Sequence, residues 1–307
     1  MQKELFGNCT VVIPTFFPGN EIIENIKSLP KDIEILVIDN SYDDRLLNKI
    51  QMYPNCKYFN IGDVGLGQTF NFALKKVKTE FILITQPDVV LRNDCLINLL
   101  MGIQKYPNAG IVTPIVYDLG IYSKYDFYDL KYCKKNKKFK QNKLKSKINI
   151  IPHGDFCVDA VNATTMLVKT SAVKQIGGWD DNIYVYLEDI DICLRLYLEG
   201  YTVVKISNAA VDHKGWSSHF SQIDDTMNIT RIWHFTWSSI YFNFKFANKL
   251  TAFFSLIKTI LKAIIKLPFN YFFSKKKYLA NKIRLSACYA IIFNKGSYFR
   301  LRHNVDR

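Results

Sequence analysis

The chain contains no CxxC pair, and its seven cysteines fall at no short, repeated spacing. That argues against a disulfide scaffold, and reduced thiols in a cytoplasm are the expectation. The opening stretch MQKELFGNCTVVIPT lacks a charged segment followed by a long apolar run and a small-residue cleavage site, so nothing in it directs secretion. Neither GxGxxG nor GK[ST] occurs around Gly62, Gly65 and Gly67, so neither a dinucleotide fold nor a P-loop is supported. An uncharged apolar run of about 20 residues, the minimum for a membrane-spanning helix, is also missing. The most apolar stretch, KLTAFFSLIKTILKAIIKLPFNYFF, is interrupted by Lys258, Lys262 and Lys266.

Acidic residues are scarce in two places. Residues 121–150 hold ten lysines against Asp126 and Asp129, and from Lys245 onward fourteen Lys and Arg face Asp306 alone. The formal charge of +14 thus divides into +8, +13 and −7 for the remaining body. An acidic body with two basic patches suits an anionic surface better than nucleic acid, for which a uniformly basic chain is expected.

What is present is ample for a core: 49% of the 307 residues are apolar, enough for one large α/β domain and an appendage. CTVVIPT, IEILVIDNS, FILITQPDVV and GIVTPIV read as buried parallel strands, with Asn20 and Asn93 opening helices between them. Strand and helix alternate, which predicts a mostly parallel sheet flanked by helices. Polar residues at the C-terminal ends of such strands are where open α/β sheets bind ligands, and Asp39, Ser41, Gln86 and Asp88 stand there. The expected domains are 1–235, carrying a lysine-rich solvated insert at 121–150, and a basic amphipathic helical tail over 236–307. The tail helix is expected to end at Pro268 and to lie on an anionic membrane surface or against a second subunit.

YVYLEDIDICLRLYLEG, residues 184–200, reads as a helix with Glu188, Asp189 and Asp191 at its mouth and an apolar stripe of Ile190, Cys193, Leu194, Tyr197 and Leu198. One cap needs one carboxylate, so the surplus suggests a metal site or a proton transfer. Gly200 can close the helix in the left-handed conformation.

With VVIPT, VIDNS, NIGDVGLGQTFNFAL, QPDVV, GGWDDNIYVYLEDIDICLRL and VDHKGWSS in this order, the chain resembles family 2 glycosyltransferases of the GT-A fold, especially the bacterial rhamnosyltransferase-like group. The resemblance covers roughly residues 9 to 220. It implies an inverting enzyme moving a hexose or deoxyhexose from a UDP- or dTDP-sugar to a glycan acceptor, lipid-linked, at the cytoplasmic membrane face. It places Pro14, Thr15, Asp39, Ser41, Gly67, Asn71, Gln86 and Asp88 around the donor nucleotide. Asp88 and His213 would hold a divalent cation, Mn2+ or Mg2+, with neutral Gln86 where the family has an acid. Asp189 would be the catalytic base, with Glu188 and Asp191 as rivals; the spacing pairs Asp191 with Arg195 one turn on, and Glu188 would orient the acceptor. Trp179 and Trp216, flanking the acidic helix, would offer their indole faces to the acceptor sugar. A sugar-nucleotide pyrophosphorylase is the rival enzyme, but PTFFPGNE lacks its basic, glycine-rich loop; a non-catalytic membrane-surface or nucleic-acid-binding protein is the other alternative.

Overall fold

Apolar, β-branched runs build the centre of the sheet. In chain order come α1 (Gln2–Gly7), β1 (Cys9–Thr15), α2 (Glu21–Lys27), β2 (Glu34–Asp39), α3 (Leu47–Ile50), β3 (Cys56–Asn60), α4 (Leu66–Lys76) and β4 (Phe81–Thr85). β1 pairs in parallel with β2 on one side and β4 on the other, and β2 pairs in parallel with β3. β1, β2 and β4 are buried on both faces, so they read as continuous apolar runs rather than as alternating ones. Asn20 does not cap α2; its Oδ1 accepts from Lys49 Nζ at 2.8 Å instead.

The chain continues through β5 (Val89–Leu91), α5 (Cys95–Lys105), β6 (Ala109–Asp118), β7 (Ile121–Tyr122), β8 (Phe127–Cys133), β9 (Lys138–Asn142), β10 (Phe156–Val158), β11 (Ala160–Val161) and β12 (Thr165–Lys169). α6 (Thr170–Gln175), α7 (Glu188–Leu198) and β13 (Thr202–His213) follow. The main sheet has the order β10-β13-β6-β12-β4-β1-β2-β3, with β5 on β13 and β7 on β6. β12 runs antiparallel between β4 and β6, so the sheet is mixed, with β3, β2, β1 and β4 as its parallel half. α5 does not start at Asn93: Asp94, in the left-handed region at φ 59°, precedes its first residue.

This computed structural model describes residues 2–41, 45–123, 127–133, 138–142, 153–215 and 223–301. It divides into two compact units: residues 1–129, 142–181 and 189–220 form the sheet unit, and 130–141, 182–188 and 221–307 the helical unit. Where a loop is expected, the described parts of the lysine-rich stretch include two strands, β8 and β9, which pair in a second sheet ordered β11-β8-β9; the rest of the stretch lies outside the described residues. Phe127, Tyr128, Leu130 and Tyr132 give FYDLKYC a strand propensity that the lysine count obscures. In α7, Tyr197 is exposed rather than part of the apolar stripe, and Ile192 and Leu196 are buried with Ile190, Cys193 and Leu194. Gly200, at φ 92°, closes the helix as expected.

The helical unit packs α8 (Asp224–Phe246), α9 (Lys249–Phe273) and α10 (Lys275–Ile292) around Trp233, Trp237, Ile240, Leu256, Ala287 and Cys288. Both indoles are satisfied, Trp233 Nε1 donating to Ser286 Oγ and Trp237 Nε1 to the Lys295 carbonyl, each at 3.2 Å. Pro268 does not end α9, which runs five residues further to Phe273. An internal proline costs about 3 kcal/mol. Here the burial of Ala263 and Asn270 on either side of it holds the helix through, while Ile264, whose carbonyl loses its partner, faces water.

Candidate functional site

Because β1 has β2 on one side and β4 on the other, the strand order reverses there, and open α/β sheets bind ligands beyond the carboxyl ends of the strands at such a point. Pro14 and Thr15 end β1 in register with Ile38 and Asp39 of β2. Asp39 is fully buried; its carboxylate accepts from Ser41 N at 3.0 Å, Ser41 Oγ at 2.8 Å and the Tyr58 hydroxyl at 2.9 Å. Burial raises its pKa more than these hydrogen bonds lower it. Beside it, Asn40 Oδ1 accepts from Thr69 Oγ1 at 2.8 Å, tying the strand end to the first turn of α4, where Gly67 is also buried. Tyr58 and Thr69 are additions to the expected set, and the only sequence sign of either is its place beside a strand or helix end.

The β4–β5 loop carries Gln86 and Asp88. Its backbone is clamped by Asn25, a buried α2 residue whose Nδ2 lies 2.7 Å from the Val89 carbonyl, 3.1 Å from that of Gln86 and 3.3 Å from Thr85 Oγ1. Asn25→Ala would strand these buried acceptors and is expected to cost about 1–3 kcal/mol. Urea denaturation should show a lower midpoint at unchanged slope, and an unchanged midpoint would mean that the loop is held by other contacts.

Asp88, 2% exposed, has its Oδ2 3.6 Å from His213 Nε2. On the far side of the ring, His213 Nδ1 lies 2.7 Å from Asp118 Oδ1 at the end of β6. With Asp118 accepting the Nδ1 proton, the Nε2 lone pair points to the side where Asp88 stands, the usual arrangement around a metal-bound imidazole. Asp118 is thus a site residue absent from the sequence-based set, although it occupies the same kind of strand end as Asp39. Among the described residues, no group of three or more His, Cys, Asp or Glu could by itself hold a metal ion. Asp88 offers the oxygen ligand a hard cation takes and His213 a softer one, so an ion held here would take its remaining ligands from substrate phosphates and water. Lys214, next in sequence, pairs with Glu24.

Asp189 is partly buried at the start of α7. Its Oδ2 accepts from Ala163 N at 3.2 Å and its Oδ1 from Ile190 N at 2.8 Å. Burial outweighs these hydrogen bonds and pushes its pKa up to about 6, so at neutral pH it is a carboxylate poised to take a proton. The neighbouring Thr164 carbonyl accepts from Gln86 N at 3.0 Å. One turn, Ala163–Thr164, therefore holds both Asp189 and the loop of Asp88. Tyr186 and Leu187, both at positive φ (70° and 69°), immediately precede the acidic pair. Non-glycine residues adopt that conformation at a cost of about 1–2 kcal/mol each, and such strain collects where a side chain must be aimed.

The two rivals to Asp189 are placed differently. Asp191 is fully buried and binds Arg195 Nε at 2.7 Å, and Arg195 Nη1 donates to the carbonyls of Ile176 and Gly178 at 3.1 and 2.6 Å. Asp191 is a strut fixing α7 to the glycine turn, in the pairing that its four-residue spacing from Arg195 predicts. Glu188 is buried more deeply than Asp189, so it is the less suited to meet an incoming hydroxyl.

The side chain of Asn71, which the resemblance sets in the helix adjoining the nucleotide, brackets the Trp179 backbone. Its Oδ1 accepts from Trp179 N at 2.8 Å, and its Nδ2 donates to Trp179 O at 2.9 Å and to Asp181 at 2.6 Å. Gly178, at φ 81°, permits this approach, since a Cβ there would lie 2.3 Å from Asn71 Oδ1. Trp179 is only 4% exposed and packs on Phe70, so it is a core residue and not an open sugar platform. Trp216 lies outside the described residues.

Residues 10–158 match the family described as "Glycosyl transferase family 2". The chain is 30% identical over 192 residues to the rhamnosyltransferase WbbL of Escherichia coli K12, covering 59% of this chain and 72% of that protein. It is 24% identical over 243 residues to the N-acetylglucosaminyl-diphospho-decaprenol L-rhamnosyltransferase of Mycobacterium tuberculosis, covering 66% and 75%. In fold it is similar to a mannosyltransferase of Pyrobaculum calidifontis solved with GDP-Man and Mn2+: the TM-score is 0.55 at 14% identity, over 94% of this chain and 88% of that one. Asp39, Asp88 and Asp189 stand at element ends of a GT-A-like sheet, and with relatives that share its sequence over most of their length this chain is a glycosyltransferase of family 2, in the rhamnosyltransferase-like group.

Proposed function

We propose that the chain is an inverting transferase moving a deoxyhexosyl group, rhamnose by analogy with its relatives, from a dTDP- or UDP-sugar to a lipid-linked glycan. The reaction would run at the cytoplasmic face of the membrane. The observation that carries this reading is the Ala163–Thr164 turn, which holds the raised-pKa carboxylate of Asp189 and the loop of Asp88 in one constellation. Asp39 would accept the ring N–H of a uracil or thymine, with Pro14, Thr15, Ser41 and Gly67 around the nucleoside. Asp88 and His213 would hold Mn2+ or Mg2+ on the donor diphosphate; the cation would supply the positive charge that a departing diphosphate needs. Asp189 takes the proton of the acceptor hydroxyl as its oxygen forms the new glycosidic bond, and the bond from the anomeric carbon to the diphosphate breaks with the electron pair leaving on the nucleotide. A single base and direct attack invert the anomeric centre, whereas retention through a covalent intermediate needs a second, nucleophilic carboxylate close by.

A screen of UDP- and dTDP-sugars, with and without Mn2+, tests the donor assignment by nucleoside diphosphate release. Release from a pyrimidine deoxyhexose donor that depends on Mn2+ is the expected result. Turnover of purine-nucleotide sugars alone would overturn the role given to Asp39.

A further inference from the structure

The helical unit presents a surface that glycosyl transfer does not use. Along α9, Ala252, Leu256, Ala263 and Asn270 recur on one line and are buried within the unit. On the opposite line stand Leu250, Phe254, Leu261, Ile265 and Phe272, spaced four and seven residues apart in turn and each 52 to 78% exposed. Both lines follow the helical period, so α9 has two apolar faces and packing within the unit covers only one. Soluble proteins rarely leave an apolar ribbon of this length open to water unless something covers it.

Charge says what covers it. Lys258, Lys262 and Lys266 form the stripe beside the exposed ribbon, and all three are exposed. At the corner where α9 gives way to α10, Phe269, Tyr271, Phe272 and Phe273 are all more than 60% exposed, and Lys275, Lys276 and Lys277 follow directly. Those three lysines occupy the first turn of α10, where the helix dipole disfavours cations, so the charge opposes the helix unless an external anion answers it. No Asp or Glu occurs anywhere in residues 226–305, against fourteen Lys and Arg. A second copy of the chain is a poor occupant, since a two-fold contact would set the lysine stripe against its own image with no acid on α9 or α10 to meet it. No helix of the described residues is long and apolar enough to cross a membrane.

We propose that the outer face of α9 and the α9–α10 corner dock on an anionic phospholipid bilayer. α9 lies in the plane of the interface with Phe254, Leu261, Ile265 and Phe272 in the acyl boundary. The lysine stripe and Lys275–Lys277 meet the headgroups, and the corner aromatics sit at headgroup level. The inference goes beyond the transfer reaction and does not depend on which donor or acceptor is used.

The test is flotation of the full-length protein with vesicles of phosphatidylcholine alone and of phosphatidylcholine mixed with phosphatidylglycerol, at low and high salt. The protein should float with the anionic vesicles, much less with the neutral ones, and less at high salt. The triple variant Lys275→Glu, Lys276→Glu, Lys277→Glu and the double variant Phe272→Ser, Phe273→Ser should each weaken binding about 10-fold or more. Because these side chains are exposed, melting temperature and turnover on a water-soluble acceptor should stay as in the parent. Equal flotation with neutral vesicles, or variants that float as well as the parent, would overturn the proposal. So would a concentration-dependent dimer, formed without lipid, that the phenylalanine variant abolishes. Vesicle binding needs no donor sugar, so its failure would leave the functional reading standing, and a failed donor screen would leave this one standing.

Discussion

Asp189→Asn is expected to cut glycosyl transfer by about 10²- to 10⁴-fold while donor affinity stays within a few-fold of the parent, because the change removes only the group that accepts the proton. Asn has nearly the shape of Asp and keeps one acceptor for the two backbone N–H groups, of Ala163 and Ile190, that hold this side chain. The pH dependence is the sharper signature. A base whose pKa is raised to about 6 is ionised above that pH and protonated below it, so kcat/KM should rise tenfold per pH unit on the acid side and level off above about 6. The same shift makes Asp189 a burden on the fold. Between the usual carboxylate range and about 6 the folded state keeps a proton that the unfolded state has lost, so this group's contribution to stability falls as pH rises through that window. Asp191→Asn should behave oppositely: it breaks the buried pair with Arg195, lowering the melting temperature without moving the acid limb. Turnover that survives Asp189→Asn and is lost in Glu188→Gln would transfer the base assignment to Glu188.

Removing divalent cations with a chelator, or changing Asp88 to Ala, should each suppress transfer by about 10²-fold or more, with Mn2+ or Mg2+ restoring the parent but not the variant. His213→Ala should act in the same direction. Asp118→Asn separates a metal role for the histidine from a packing one. Asp118 touches His213 Nδ1 and not the position between Nε2 and Asp88, so its loss should raise the Mn2+ concentration for half-maximal activity about 10- to 100-fold while leaving kcat at saturating metal close to the parent. Full activity in excess chelator would place charge neutralisation on protein cations. Lys214 would be the first candidate, released from its pairing with Glu24.

The parallel half of the fold was legible because its strands are buried on both faces and carry unbroken apolar runs, each stopped by a polar residue at the ligand end. Asp39, Asp88 and Asp189 could be picked out for the same reason: each ends or begins an element whose periodicity is local. Asn25 could not, since its partner lies 64 residues away and nothing near it in sequence marks it; Asp118 ends β6 as Asp39 ends β2, but its role shows only through His213, 95 residues away. Trp179 is misread through the same blindness to distant partners. The Gly177–Gly178 turn folds the indole back onto α4, so an aromatic beside a glycine, which reads as a sugar platform, is a core residue. Pro268 and the insert strands show local rules overridden by tertiary packing and by aromatic strand propensity.

The most direct test of the account is the anomeric configuration of the product, read by NMR after the purified chain has transferred sugar from its pyrimidine-nucleotide donor in the presence of Mn2+, with Asp189→Asn run in parallel. A product of inverted configuration from the parent, and none from the variant over the same interval, is the predicted result. A product that retains the donor's configuration, or one formed equally well by Asp189→Asn, would contradict the single-base site built from Asp189 and the Asp88 loop.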